Sequence, residues 1–108
     1  MTLQHCTLCP KACGADRTRT AGGCGGGAEM RAARAALHFW EEPCIIGKGG
    51  AGAVFFSGCA LRCCFCQNRQ ISQEWFGKAI SVSQLSEILL RLQEQGAETL
   101  DLVTGSHY

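Results

Sequence analysis

Apolar positions along the chain follow two rhythms, and its first quarter follows neither. "AVFFSG" (53–58) is a short continuous apolar run bounded by glycine, which predicts a buried strand. In "SQLSEILLRLQEQG", Leu85, Ile88, Leu89 and Leu92 recur at helical spacing, with Ser83 as the expected N-cap and Gly96 at the expected C′ position. "TLDLVTG" (99–105) predicts a second strand. Strand, loop, helix and strand make a βαβ unit, which implies parallel pairing. Upstream, "AEMRAARAALHFWEEP" (28–43) is rich in helix formers and puts Met30, Ala33, Leu37 and Trp40 on one helical face, so it predicts a helix ended by Pro43. Phe39 and Trp40 are expected to pack against a neighbouring element. Residues 1–27 hold almost no large apolar side chains and cannot fold around a hydrophobic core.

The pattern gives an α/β fold in three zones: a cysteine-rich segment (1–27), a linking helix (28–43) and a βαβ region (44–108). The 108 residues suffice for one small domain with a modest core, the kind that often needs a staple such as a metal. A net charge of +1, spread in ones and twos, argues against a nucleic-acid face or a polybasic membrane patch. The amino terminus lacks the pattern of a signal peptide, and the longest uncharged stretch, Gly49 to Leu61, is too short and glycine-rich to span a bilayer. A cytoplasmic protein is the expectation.

Nine cysteines change this picture. In a reducing compartment they read as metal or cluster ligands rather than a disulfide framework, and their odd number and tight spacing fit complete pairing poorly. "SGCALRCCFCQN" (57–68) holds Cys59-x3-Cys63-x2-Cys66, with Cys64 extra. A 4Fe–4S cluster normally takes four thiolates, so three close cysteines would leave one iron open to a substrate or cofactor. Placed between strand and helix, the loop falls at the carboxyl edge of a parallel sheet, where α/β folds bind ligands. Cys64 beside a ligand reads as a small buried residue. Cys6-x2-Cys9-x3-Cys13-x10-Cys24 is a four-thiolate set suited to a closed structural zinc site or an auxiliary iron–sulfur cluster, and spacing does not separate the two. Cys44 is expected to be buried, and His5 and His38 to have surface or packing roles. "GKGGAG" (47–52) precedes a strand and lacks the Lys-Ser/Thr ending of a phosphate loop.

"CALRCCFC" resembles the C-x3-C-x-aromatic-C signature of the radical S-adenosylmethionine (SAM) enzymes, with Phe65 as the aromatic. "CTLCPKACGADR", "GGCG", "ARAALHFWEEPCIIG", "VFFSGCALRCCFCQN" and "LVTGSHY" resemble, along nearly the whole chain, the branch similar to the pyruvate formate-lyase activating enzyme. The resemblance implies that residues 44–108 begin a partial TIM-type (β/α)6 barrel. Cys59, Cys63 and Cys66 would hold a 4Fe–4S cluster whose open iron binds S-adenosylmethionine for reductive cleavage to a 5′-deoxyadenosyl radical. Phe65 would lie near the adenine and Asn68 near the cofactor. Many such enzymes have a Gly-Gly-Glu stretch after the second strand; this chain has "VTGSHY", so Thr104, Ser106 and His107 are the candidates for that hydrogen-bonding role. The resemblance further implies an electron donor such as flavodoxin or ferredoxin and a protein substrate, as for an activase of glycyl-radical enzymes.

A second reading is a non-catalytic zinc or iron–sulfur module for electron transfer. A barrel needs roughly 30 residues per βα unit, and residues 53–108 supply little more than one. The sequence therefore reads as part of a longer or split protein, with low activity by itself.

Overall fold

In the computed structural model, which describes residues 2–108, a four-stranded mixed sheet carries the chain, with strands in the order β3-β1-β2-β4. In chain order the elements are β1 (Met30–His38), α1 (Pro43–Ile46), β2 (Ala51–Phe56), α2 (Arg69–Ser72), β3 (Lys78–Ile80), α3 (Val82–Glu94) and β4 (Thr99–Val103). The expected βαβ unit is present. β2 and β4 pair in parallel from Ala51↔Thr99 to Phe55↔Val103, joined through α3. α3 begins two residues before the expected start. Ser81 is its N-cap, its Oγ accepting the Gln84 N–H at 3.1 Å while Gln84 Oε1 accepts the Ser81 N–H at 2.8 Å. This reciprocal capping box outcompetes Ser83.

The expected linking helix over 28–43 is instead the strand β1. It pairs antiparallel with β2 on one side and with β3 on the other. Its register slips between Ala32 and Arg34, a bulge that splits the apolar face into Met30 and Ala32 before it, and Ala35 and Leu37 after it. The bulge breaks the period of two, and the interrupted spacing imitates a helix. Alanine and arginine are good helix formers, but propensity is a weak bias, and pairing along β2 overrides it. Trp40, expected to pack, is 91% exposed at the turn between β1 and β2. Pro43 opens the short α1 rather than closing a helix.

One face of the sheet packs on α3. Val54, Phe56 and Leu92 form the buried centre, joined by Met30, Ala32, Leu37, Leu85, Ile88, Leu89, Ala97 and Tyr108. The four residues of the expected stripe all take part. Helix and strand approach closely at Gly52, where an added Cβ would lie 3.0 Å from the Leu92 Cβ. A side chain here would press on Leu92, Ala97 and Leu100, each of which would have to give way. Among the described residues, no helix is long and apolar enough to cross a membrane.

The tail after β4 folds back under the sheet. Thr104 turns at φ 60°, and the Tyr108 N–H donates to the Gly105 carbonyl at 3.0 Å. His107 is only 1% exposed; its Nε2 donates to the Ser57 carbonyl at 2.9 Å, and its Nδ1 has no hydrogen-bond partner. Burial holds this imidazole below its ordinary pKa, and the Arg17 charge adds to the effect, against the pull of the Ser57 and Thr104 carbonyls.

Two measurements follow from this packing. Leu92→Ala should cost about 2–5 kcal/mol in urea unfolding, whereas Leu90→Ala, at a half-exposed position, should stay within about 0.5 kcal/mol; equal losses would contradict the assigned core. The unfolded chain protonates His107 near pH ~6.5 and the folded chain only lower. Stability should therefore be full above that pH and fall as pH drops through the window beneath it. The melting temperature of the native chain should decline there and that of His107→Gln should decline less; equal slopes would exclude His107 as the source.

Candidate functional site

The cysteine loop leaves β2 through a constriction. The Gly58 N–H donates to the Ile71 carbonyl at 3.0 Å with φ 88°. A Cβ there would stand 3.0 Å from the Cys24 carbonyl and the Trp75 ring, and 3.1 Å from His107 Nε2. Only glycine fits. The next N–H, of Cys59, donates to the Cys24 carbonyl at 3.1 Å, so the amino-terminal segment abuts the root of the loop.

Beyond this point the loop turns at Arg62, φ 52°, and is clamped by α2 and the residue after it. Gln73 Nε2 donates to the Cys63 carbonyl at 2.9 Å, and the Ser72 hydroxyl lies 3.4 Å from Cys66 Sγ. Cys59, Cys63 and Cys66 are half-buried and carry free thiols. Cys64 is exposed rather than buried, as is Cys44. Cys64 sits at the corner of a turn closed by the Cys66 N–H donating to the Cys63 carbonyl at 3.3 Å, which leaves it in solvent; Cys44 lies in the surface turn of α1, none of whose residues is buried. Phe65, at the tip, is 86% exposed.

The candidate cofactor residues fall into four places. Asn68 and Thr104 meet in one cleft of about 540 Å³ on the sheet face opposite α3, beside Arg34, Phe55 and Asp101. Phe65 stands away at the loop tip. Ser106 lines a separate apolar cavity on the α3 side, of about 490 Å³, with Met30, Phe56 and Tyr108. His107 is neither exposed nor free, being packed behind Gly58 and bonded to Ser57.

The amino-terminal segment folds without an apolar core, as its composition requires. Backbone bonds shape it: Cys6 N–H to the Ala15 carbonyl, Gly14 N–H to the Cys6 carbonyl, and Gly22 N–H to the Gly26 carbonyl. Cys6 and Cys24 are buried, Cys9 is half-buried and Cys13 exposed. Backbone hydrogen bonds from Gly23 and Ala15 hold the Cys13 thiol below its ordinary pKa, which favours the thiolate that binds metals.

Four residues with a part in these sites carried no signal in the sequence. Arg17 is buried and bonds the His107 carbonyl 90 positions away. Trp75 covers Gly25 and Gly58. Ser72 and Gln73 sit in an unremarkable polar run and act only because α2 turns them back onto the cysteines.

Among the described residues, no three cysteine, histidine or acidic side chains converge closely enough to hold a metal in this arrangement. The fit of an iron–sulfur cluster rests on the donor set. Three free thiols lie on one loop, one beside a hydroxyl of the kind that tunes cluster sulfurs and another with its backbone fixed by an amide.

Comparison with known proteins agrees. No solved structure matches the chain. The uncharacterized protein MJ0674 of Methanocaldococcus jannaschii is 43% identical over 44 residues, which are 41% of this chain and 12% of that protein. The chain thus spans only a small part of this relative. The profile of the 4Fe-4S single cluster domain matches residues 45–107, from α1 through the cysteine loop to the buried His107. With more than half its length in that match, this chain belongs to the 4Fe-4S single cluster domain family and binds a 4Fe–4S cluster.

Proposed function

We propose that the chain is the cluster-bearing part of a radical SAM enzyme, with Cys59, Cys63 and Cys66 as the three protein ligands. The observation that carries this reading is positional. The three-cysteine loop springs from the carboxyl end of β2, the strand paired in parallel with β4, and a cleft shared by Asn68 and Thr104 opens near the same edge. Parallel α/β sheets bind their ligands at that edge. The domain family is also found in radical SAM enzymes.

Held by Cys59, Cys63 and Cys66, a reduced cluster with one iron free of protein ligands would supply the electron that cleaves the sulfonium of S-adenosylmethionine to methionine and a 5′-deoxyadenosyl radical. This chain's residues would bind and position. Asn68 and Thr104 offer hydrogen bonds to the polar parts of the cofactor, and Phe55 offers an apolar wall. Phe65 at the loop tip would close over the adenine. Ser72 would donate to the Cys66 sulfur and so stabilise the reduced state. The βαβ unit would be the first of a (β/α)6 partial barrel, whose next elements would cover Leu100 and Leu102, both about half exposed on β4. A flavodoxin or ferredoxin would supply the electron, and a protein would serve as the substrate, as for a glycyl-radical activase.

Anaerobic reconstitution with iron and sulfide tests this reading. The reduced protein should give a 4Fe–4S EPR signal that shifts on adding S-adenosylmethionine. The Cys59→Ala, Cys63→Ala, Cys66→Ala triple variant should lose the signal, and 5′-deoxyadenosine formation should fall to background with it. A cluster signal indifferent to S-adenosylmethionine would leave a non-catalytic electron-transfer module.

A further inference from the structure

Arg17 is a buried cation with no carboxylate to answer it. It is 2% exposed. Its Nε and Nη2 donate to the Gly27 carbonyl at 3.0 and 2.6 Å, its Nη1 donates to the His107 carbonyl, and the guanidinium lies 5.4 Å from the centre of the Tyr108 ring. Among the described residues, the ion pairs join Arg19 to Asp16, His38 to Glu41 and Arg69 to Glu74; none involves Arg17. A guanidinium keeps its proton in a protein, and a buried charge without a counter-charge is strongly disfavoured.

The group in reach is sulfur. Arg17 Nη1 stands 3.7 Å from Cys6 Sγ. Cys24 Sγ, also buried, accepts the Gly26 N–H at 3.2 Å. A neutral thiol is a weak acceptor, whereas a thiolate is a strong one. Cys13 Sγ is a neighbour, since it and Cys24 Sγ are each 3.6 Å from where a Cβ on Gly22 would stand; the sulfurs border one another without converging on one point, and an ion would draw them together. Cys9 belongs to the tight turn in which the Ala12 N–H donates to its carbonyl at 2.9 Å.

We propose that Cys6, Cys9, Cys13 and Cys24 hold one zinc ion in a closed four-thiolate site, and that Arg17 is its counter-charge. Zinc with four thiolates carries a net double negative charge, which a buried cation beside the sulfurs offsets. The match of the cluster domain, residues 45–107, leaves these four cysteines outside, so they form a set of their own, and four thiolates complete a tetrahedral zinc site. With all four positions filled by protein, the ion has no place for substrate and its role is structural. The Cys24 carbonyl accepts the Cys59 N–H, so the ion fixes the backbone from which the cluster loop hangs.

Metal analysis of the protein purified anaerobically tests this independently of any radical chemistry. About one zinc per chain is expected, with sulfur neighbours at about 2.3 Å by zinc X-ray absorption. The Cys59→Ala, Cys63→Ala, Cys66→Ala variant should keep the zinc; Cys6→Ser and Cys24→Ser should lose it. Because the serine variants could unfold, cobalt titration of the native protein serves as a second readout and should give thiolate-to-cobalt charge-transfer absorption at one equivalent. Arg17→Met should bind cobalt at least about tenfold more weakly, as expected on losing a group that supports the ligands. A native protein that takes up neither ion, zinc retained by both serine variants, or about eight irons per chain as two clusters in place of zinc, would overturn the proposal.

Discussion

Six hydrogen bonds converge on three consecutive residues at the end of β2, and the rest of the molecule is arranged around them. The Ser57 N–H donates to the Arg31 carbonyl and its hydroxyl to the Phe76 carbonyl; its own carbonyl accepts from His107 and Tyr108. The Gly58 N–H reaches Ile71, and the Cys59 N–H reaches Cys24. Each bond contributes only about 1 kcal/mol net, but leaving any of these buried groups unpaired costs more. β1, the segment before β3, α2, the residues after β4 and the amino-terminal segment are thus all tied to the point where the cysteine loop begins. The loop can be exposed at its tip because its root is over-determined.

The two faces of the sheet divide the work. On one, α3 closes over Val54 and Phe56 and supplies most of the apolar burial. On the other, Ala51 and Ala53 are buried, and His38 and Phe55, with ring centres 6.5 Å apart, line the cleft. A parallel pair needs both faces covered, and here one cover is an apolar helix and the other is left for polar chemistry. That asymmetry puts Asn68 and Thr104 on a common cleft while Ser106, two residues further on, faces the opposite side.

Legibility in the sequence followed the range of the interactions. β2, α3 and β4 could be read from local periodicity because each buries a face dictated by its own residues. Ser81 was missed for Ser83 by two residues, since the capping box depends on Gln84, three positions after Ser81, and not on the serine nearest the apolar stripe. β1 was misread because its bulge removed the alternation that marks a strand, and its pairing with β2 is a property of both segments. β3, three residues long, exists only as an edge for β1. The two cysteine spacings were visible, but Arg17 and His107 were not legible as partners, because they lie 90 positions apart in the chain. A charge in "GADRTRT" looks solvated until the fold surrounds it.

The contact between Cys24 and Cys59 makes the two thiol sets mechanically dependent. The amino-terminal segment has no apolar core, so whatever orders its four cysteines also sets where the Cys24 carbonyl stands. That carbonyl fixes the Cys59 backbone, and Gly58 leaves no free space through which the loop root could slide: the Trp75 ring and the His107 imidazole close the other two sides. Disorder in the amino-terminal segment would therefore reach Cys59 before it reached the sheet. The opposite direction is weaker. Cys63 and Cys66 are held by Gln73 and Ser72 from α2 and its end, which do not touch the amino-terminal segment through these bonds. Of Cys59, Cys63 and Cys66, Cys59 alone hydrogen-bonds the segment that precedes the sheet, so the order of that segment sets where Cys59 stands relative to the other two.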